Sequence, residues 1–256
     1  MTLTVGVLGV GHLMAHVVPG LMRADDPPSV LLSARNKARS EALAERFGLE
    51  ICSDNADLIA RSDIVIVAVR PFDVEETIAP LPWRSEQTVL SFAGTVPLST
   101  FVPHVNGADV VLGMPVITAE FGESPTSIWP ANGQVEALLA SCGPVVAFDA
   151  ESQFKAVSGS GAYFGWVQAL IMEMTDWLSA KGVPEEQARA VIAGMTRAGA
   201  VSAAERTDTP LPELINDLCL PGSLTGQGLE ILRGADAFAP WRAAAESIFE
   251  RHRGKS

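Results

Sequence analysis

Three cysteines, four histidines and one tyrosine are a thin supply of reactive side chains for a chain of 256 residues. Cys52, Cys142 and Cys219 stand far apart, their number is odd, and no C-x-x-C occurs. A disulfide framework and a cysteine-rich zinc site are both poor readings of such a pattern. His12, His16, His104 and His252 form no H-E-x-x-H. His12 and His16 share an i, i+4 spacing, which reads as a solvated or packed helix face rather than a metal site. Basic charge is scarce too: 18 Lys+Arg against 30 Asp+Glu leave a net charge of −12. That sign disfavours nucleic acid and anionic membrane surfaces, which would repel the protein. No apolar run approaches the roughly 18 residues of a membrane span; the longest clean one is Ile64 to Val69. No basic leader or cleavage signal precedes the first strand-like run, so a cytosolic protein is expected. Internal repeats and low-complexity linkers are also missing.

What is present is a strong alternation of strand and helix in the first half. Leu3–Leu8 reads as a buried strand and His12–Arg23 as a helix with Leu13, Val17, Val18, Leu21 and Met22 inward. Ser29–Ser33, Leu49–Ile51, Asp63–Val69, Thr88–Phe92 and Asp109–Leu112 continue the strands. Asn36 is placed to cap a second helix ending at Gly48, and Asp54 or Asn55 to start a third. Asp63–Val69 is the most β-branched stretch and is expected at the centre of a parallel sheet. Strands joined by helices of this length imply right-handed crossovers and a doubly wound sheet. After Val145–Phe148 no strand is evident. Val167, Leu170, Ile171, Met174 and Leu178 mark one face of a long helix that ends at Gly182. Pro184, Glu185 and Glu186 open another, rich in alanine and glycine. The expected architecture is α/β: an N-terminal, mostly parallel Rossmann domain over residues 1–150 and an all-helical domain over 151–256.

Gly9-Val10-Gly11 joins the first strand to the first helix, with His12 and Leu13 completing the loop. A dinucleotide site needs glycine here because the turn is tight and the backbone must approach a pyrophosphate on the helix N-terminus. The third glycine of that fingerprint is replaced by Met14. A tight turn that binds nothing is the bland alternative, but the strand–loop–helix setting favours a nucleotide. The end of the second strand, Ser33-Ala34-Arg35-Asn36-Lys37, holds no acid before Glu41. A hydroxyl, a guanidinium and an ammonium suit a 2′-phosphate, so NADPH is the expected cofactor, with NADH still possible.

With these residues in view, the chain resembles the pyrroline-5-carboxylate reductase family over nearly its whole length. The resemblance lies in Gly9-Val10-Gly11 with Pro19-Gly20-Leu21, in Ser33-x-Arg35, in Phe47-Gly48 and in Ala68-Val69-Arg70-Pro71. It continues in Gly113-Met114-Pro115, Ser158-Gly159-Ser160-Gly161, Pro221-Gly222-Ser223-Leu224-Thr225 and Gly228-Leu229. It implies hydride transfer from NAD(P)H to the C=N carbon of a cyclic imine carboxylate, giving proline. It also implies a homodimer or larger homo-oligomer formed through the C-terminal helices. By position, Gly9, Gly11, His12, Leu13, Ser33 and Arg35 would hold the cofactor, and Val69, Arg70 and Pro71 would line its ribose and nicotinamide side. Gly222, Ser223, Leu224 and Thr225 would offer backbone N–H groups to the substrate carboxylate, and the Thr225 hydroxyl would be the catalytic donor near the imine nitrogen.

Read from the residues alone, Pro221–Ser223 is also a plain helix–helix corner, Thr225 also a capping threonine, and Ser158–Gly161 also a helix entry. Tyr163 reads as packing or as a proton donor. The chain departs from the family pattern at Val116-Ile117-Thr118, where Asn-Thr-Pro is usual, at Leu220 for serine, at Ser223 for glycine, and at Ala162-Tyr163 for Pro-Ala. Two rivals follow. A hydroxyacid dehydrogenase-like carbonyl reductase would need a lysine near the first long helix of the second domain, and Lys155 is the one at hand. A non-catalytic NADP(H)-binding protein would bind the dinucleotide without turnover.

Overall fold

The computed structural model describes residues 2–253. The chain forms two compact units, Met1–Ser158 and Gly159–Ser256. In the first unit the strands are β1 (Thr4–Leu8), β2 (Ser29–Leu32), β3 (Glu50–Ile51), β4 (Ile64–Val67), β5 (Thr88–Ser91), β6 (Asp109–Met114), β7 (Thr126–Trp129) and β8 (Val145–Ala147). They make one sheet in the order β3-β2-β1-β4-β5-β6-β7-β8. Every pairing is parallel except β6–β7, which sets Leu112 opposite Trp129 and Met114 opposite Ser127. The doubly wound, mostly parallel sheet and the helical unit after it are thus as the sequence pattern implies, whereas β7 carries no expectation from that pattern.

Between the strands run α1 (Met14–Leu21), α2 (Lys37–Phe47), α3 (Asn55–Arg61), α4 (Val74–Ile78) and α5 (Gly133–Leu139), and α6 (Glu151–Ser158) follows β8. The sheet is covered on both faces. Val5, Val7, Ile64, Ile66 and Leu90 join a core with Val17, Val18 and Leu21 of α1, Leu43 of α2 and Leu138 of α5. Val65, Val67 and Val89 turn the other way, onto Leu58 and Ile59 of α3, Val74 and Ile78 of α4, and Phe154 of α6. Burial on both faces explains why β4 reads as an unbroken apolar run instead of an alternating one. Each such side chain contributes about 1.5–3 kcal/mol when withdrawn fully from water.

The helix ends show where local rules hold. Gly48 closes α2 at φ 67°, in the left-handed region. Asp54 caps α3, its carboxylate accepting the Asp57 N–H at 2.8 Å. Asn36 does occupy the N-cap of α2, at φ −110° and ψ 79°, but its side chain makes no capping bond. Helix α1 is shorter than expected, and Met14 is fully buried on its core face. Its close backbone approach falls instead at Gly20, where a Cβ would lie 2.5 Å from the Ala119 carbonyl and 2.8 Å from the Cys142 sulfur.

The second unit holds α7 (Gly161–Ser179), α8 (Glu185–Glu205), α9 (Leu211–Asn216), α10 (Leu224–Gly234) and α11 (Ala239–Arg253). Gly182 ends the α7 segment with φ 91°, and the Val183 N–H returns to the Leu178 carbonyl. Among its described residues only Thr175 and Ala188 are buried, while Met195 is 70% exposed and Leu224 86%. On the shared face of α7, Leu170 is exposed, and Val167, Ile171, Met174 and Leu178 are half-buried. No helix among the described residues is long and apolar enough to cross a membrane.

The thiols follow their surroundings. Burial pushes Cys52 up to about 11, with the Asp57 charge adding to it, and burial pushes Cys142 up to about 12. Thiols held so high are poor nucleophiles. A Cys219→Ser variant is therefore expected to show no titratable thiol at pH 8 until denatured, when two appear; rapid labelling of the native variant would contradict the burial of Cys52 and Cys142.

Candidate functional site

In an open parallel sheet, ligands gather at the carboxyl ends of the strands where the strand order reverses. Here the order reverses between β1 and β4. The loops that leave β1, β2 and β4 carry every cofactor-side residue expected from the sequence. Gly9 has φ +102°, and a Cβ on it would lie 2.9 Å from both the Ala68 carbonyl and Val69 Cγ1. Only glycine meets both demands without strain. Its N–H donates to Ser33 Oγ at 2.9 Å. Ser33 is buried, and its carbonyl accepts from Ser40 Oγ at 2.8 Å. The end of β2 thus pins the loop after β1, a contact that the spacing of Ser33 in the sequence does not announce.

Gly11 behaves differently. A Cβ there would meet nothing within 4 Å. The protein's own packing therefore places no demand for glycine at this position and leaves the backbone open to approach. Helix α1 begins beside it with no acidic residue in its first turn and no side-chain cap. The positive end of that helix is open to an anion. These features fit the diphosphate of a dinucleotide. His12 is exposed and stands edge-on to His16, with ring centres 5.0 Å apart. His16 Nδ1 lies 2.7 Å from Glu120 Oε1 on the 3₁₀ segment Ile117–Phe121, which ties α1 to the stretch after Met114. Leu13 packs partly into the core.

At the end of β2, Arg35 is exposed and its Nη2 lies 3.2 Å from Asp73 Oδ2. Lys37 lies 3.7 Å from Glu41, one helical turn on. After β4, Val69 packs against the core, and Arg70 places its guanidinium 5.9 Å from the centre of the Phe72 ring. Pro71 opens the 3₁₀ turn Pro71–Asp73 that leads into α4. Asp73 and Glu120 carry no sequence signal of their own. Each meets its partner across a long stretch of chain, 38 residues for Asp73–Arg35 and 104 for Glu120–His16.

In the stretch where the family's Asn-Thr-Pro is replaced, the Val116 N–H donates to Ser124 Oγ at 2.8 Å and the Thr118 hydroxyl donates to the Glu123 carbonyl at 2.8 Å. Lys155 lies on α6, 3.0 Å from Glu151. Glu50, Cys52 and Asp57 lie close enough to share a cation. Arg61 already donates to both Glu50 oxygens at 2.6 Å and to Asp57 at 3.2 Å. Its hydrogen bond holds the Glu50 carboxyl below the usual range. The cluster reads as an ion-pair network that faces the edge of the sheet.

The remaining expected residues belong to the second unit. Gly222 has φ +81° and turns the chain into α10. Ser223, not Thr225, is the N-cap: its Oγ accepts the Gly226 N–H at 3.0 Å and donates to the Leu218 carbonyl at 3.1 Å. Leu224 and Thr225 are the first two residues of the helix, both exposed. The first intrahelical bond runs from the Gln227 N–H to the Ser223 carbonyl at 3.1 Å, so the Leu224 and Thr225 N–H groups have no acceptor within the helix, and this 11-residue helix presents donors and the positive end of its dipole together. Tyr163 forms an edge-to-face cluster with Trp166 and Trp241, centres 5.9–6.4 Å apart, so its ring is a packing element. The Ser158 side chain, part of the Ser-Gly-Ser-Gly stretch, and that of His252 lie outside the described residues.

A switch-point loop of this form followed by a helical unit defines an oxidoreductase of the NADP-binding Rossmann class. Residues 4–94 match the family described as NADP oxidoreductase coenzyme F420-dependent, and residues 151–254 match pyrroline-5-carboxylate reductase dimerisation. A pyrroline-5-carboxylate reductase of Methanosarcina acetivorans is 29% identical over 260 residues, covering 96% of each chain. The structure of 1-pyrroline-5-carboxylate reductase from Streptococcus pyogenes superposes with a TM-score of 0.83 at 22% identity, covering 99% of each chain. That of Plasmodium falciparum pyrroline carboxylate reductase with NADP bound gives 0.82 at 20% identity, covering 98% of this chain and 97% of that one. Residues 151–254 thus carry the pyrroline-5-carboxylate reductase dimerisation domain, and the chain is similar to pyrroline-5-carboxylate reductases over nearly its whole length.

Proposed function

We propose that this protein reduces pyrroline-5-carboxylate to proline with NADPH as the preferred hydride donor. One observation carries the reading: a single chain joins a dinucleotide-type loop at the sheet's switch point to the helical domain of this family. The bound dinucleotide supplies the hydride that reduces the C=N bond. Everything else is positioning and charge, which suits a site poor in strong acids and bases.

Gly9 and Gly11 admit the diphosphate, Ser33 holds the loop in shape through the Gly9 N–H, and the α1 N-terminus balances the negative charge. Arg35 faces the adenosine 2′-phosphate, and Val69, Arg70 and Pro71 line the ribose and nicotinamide side. His12 and Leu13 flank the diphosphate. In the second unit, the N–H groups at Gly222–Thr225 receive the substrate carboxylate, since a helix start with its dipole aligned is a ready anion site. The Thr225 hydroxyl donates toward the imine nitrogen as that nitrogen becomes an amine. The half-exposed apolar faces of α7–α11 support assembly of two or more copies through the C-terminal helices.

The test is NADPH oxidation by the full-length protein across pyrroline-5-carboxylate, pyrroline-2-carboxylate, piperideine carboxylates and β-keto acids. Turnover of pyrroline-5-carboxylate at least about 100-fold above the keto acids is expected, because a site built to pair one polar group rejects analogues without it. Equal or greater turnover of the keto acids, lost in Lys155→Ala, would favour a hydroxyacid-type reductase. Binding of NADP⁺ with no turnover of any substrate would favour a non-catalytic role.

A further inference from the structure

We propose that Asp73 sets the discrimination between NADP(H) and NAD(H), by holding a carboxylate beside the one position at which the two cofactors differ. The proposal rests on the dinucleotide reading above. NAD-preferring sites place an acid at the end of the second strand to accept the ribose 2′-hydroxyl. The end of β2 has none before Glu41, which lies 3.7 Å from Lys37. The fold brings an acid to the same locus from another strand. Asp73 follows β4, at the close of the turn that Pro71 opens, and its N–H donates to the Arg70 carbonyl at 2.9 Å.

Two details place its carboxylate beside the end of β2. Asp73 runs from the turn into α4 with helical backbone angles, φ −93° and ψ −6°, and its side chain makes no capping bond. Its Oδ2 instead lies 3.2 Å from Arg35 Nη2. The acid is also the better anchored partner, 23% exposed against 66% for the arginine. A 2′-phosphate, carrying close to two negative charges, must draw Arg35 away from Asp73 and then sit beside a like charge. A 2′-hydroxyl meets the opposite situation, because it can donate to the carboxylate and leave the ion pair in place. Arg35 therefore favours one cofactor and Asp73 the other, and the pair as built narrows the preference that the arginine alone would create.

The experiment is calorimetric titration of the full-length protein with NADP⁺ and with NAD⁺, without substrate, in the wild type, Asp73→Asn and Asp73→Ser. Thermal melts check that each variant folds. Asparagine keeps the size and removes the charge. The ratio of NADP⁺ to NAD⁺ affinity is expected to rise about 10-fold or more in both variants, through tighter NADP⁺ and unchanged or weaker NAD⁺. An Arg35→Gln variant is expected to lower the ratio. Binding of both cofactors with the ratio unchanged within twofold in the Asp73 variants would overturn the proposal while leaving the dinucleotide reading intact. No heat from either cofactor with the folded wild type would overturn that reading and the proposal together.

Discussion

A Gly9→Val variant is expected to lose at least about 100-fold in NADP⁺ affinity, or about 2.7 kcal/mol, and to melt several degrees below the wild type. The side chain would enter with the backbone at φ +102°, a conformation that costs a branched residue about 1–3 kcal/mol. It would also strike the Ala68 carbonyl, whose own N–H donates to Leu8 in the sheet, so relief requires β1 and β4 to part or the loop to move. Moving the loop breaks the Gly9–Ser33 bond and withdraws the N–H groups proposed to face the diphosphate. Gly11→Ala separates the two demands. Its methyl meets no protein atom, so stability should stay within about 0.5 kcal/mol while NADP⁺ affinity falls about 10-fold. Calorimetric titration and thermal melts measure both. Unchanged binding in Gly9→Val would remove the loop from the site.

Thr225→Val is expected to lower kcat/KM for imine reduction by about 30-fold with the NADP⁺ dissociation constant unchanged. Valine preserves the shape of threonine and deletes only the hydroxyl. Thr225 is the second residue of α10, and the turn is capped by Ser223, so the helix start survives the exchange. The deficit should grow from about 10-fold at pH 6 toward 100-fold at pH 9, because in acid the imine nitrogen takes its proton from water and needs the hydroxyl less. A pH-independent loss would assign Thr225 to binding alone.

Elements with strong period or marked termini were legible in the sequence. The parallel strands β1, β2, β4 and β5, the Gly48 and Asp54 helix ends and the helical second half follow from apolar runs and end signals. Strand β7 was not, although its Thr126–Trp129 stretch alternates in burial, because four residues are too few to establish a period. The periodicity that marks one face of α7 tells which residues share a side and not what covers that side, and Leu170 on it is exposed. The site divides in the same way. Gly9, Gly11 and Ser33-x-Arg35 announce themselves by type and spacing. Asp73 and Glu120 do not, because their relevance arises only when the crossovers bring distant loops to one edge. The capping role expected as an option for Thr225 went to Ser223, two residues earlier, since the chain turns at Gly222 and enters the helix at once.

The sheet ends in β3 on one side and β8 on the other, strands of two and three residues. An edge this short offers too few unsatisfied amides and carbonyls to template a further strand from a neighbouring molecule. The most β-branched strand, β4, is sealed in the middle, between β1 and β5. The ordering that creates the switch point at β1 and β4 also guards the protein against aggregation.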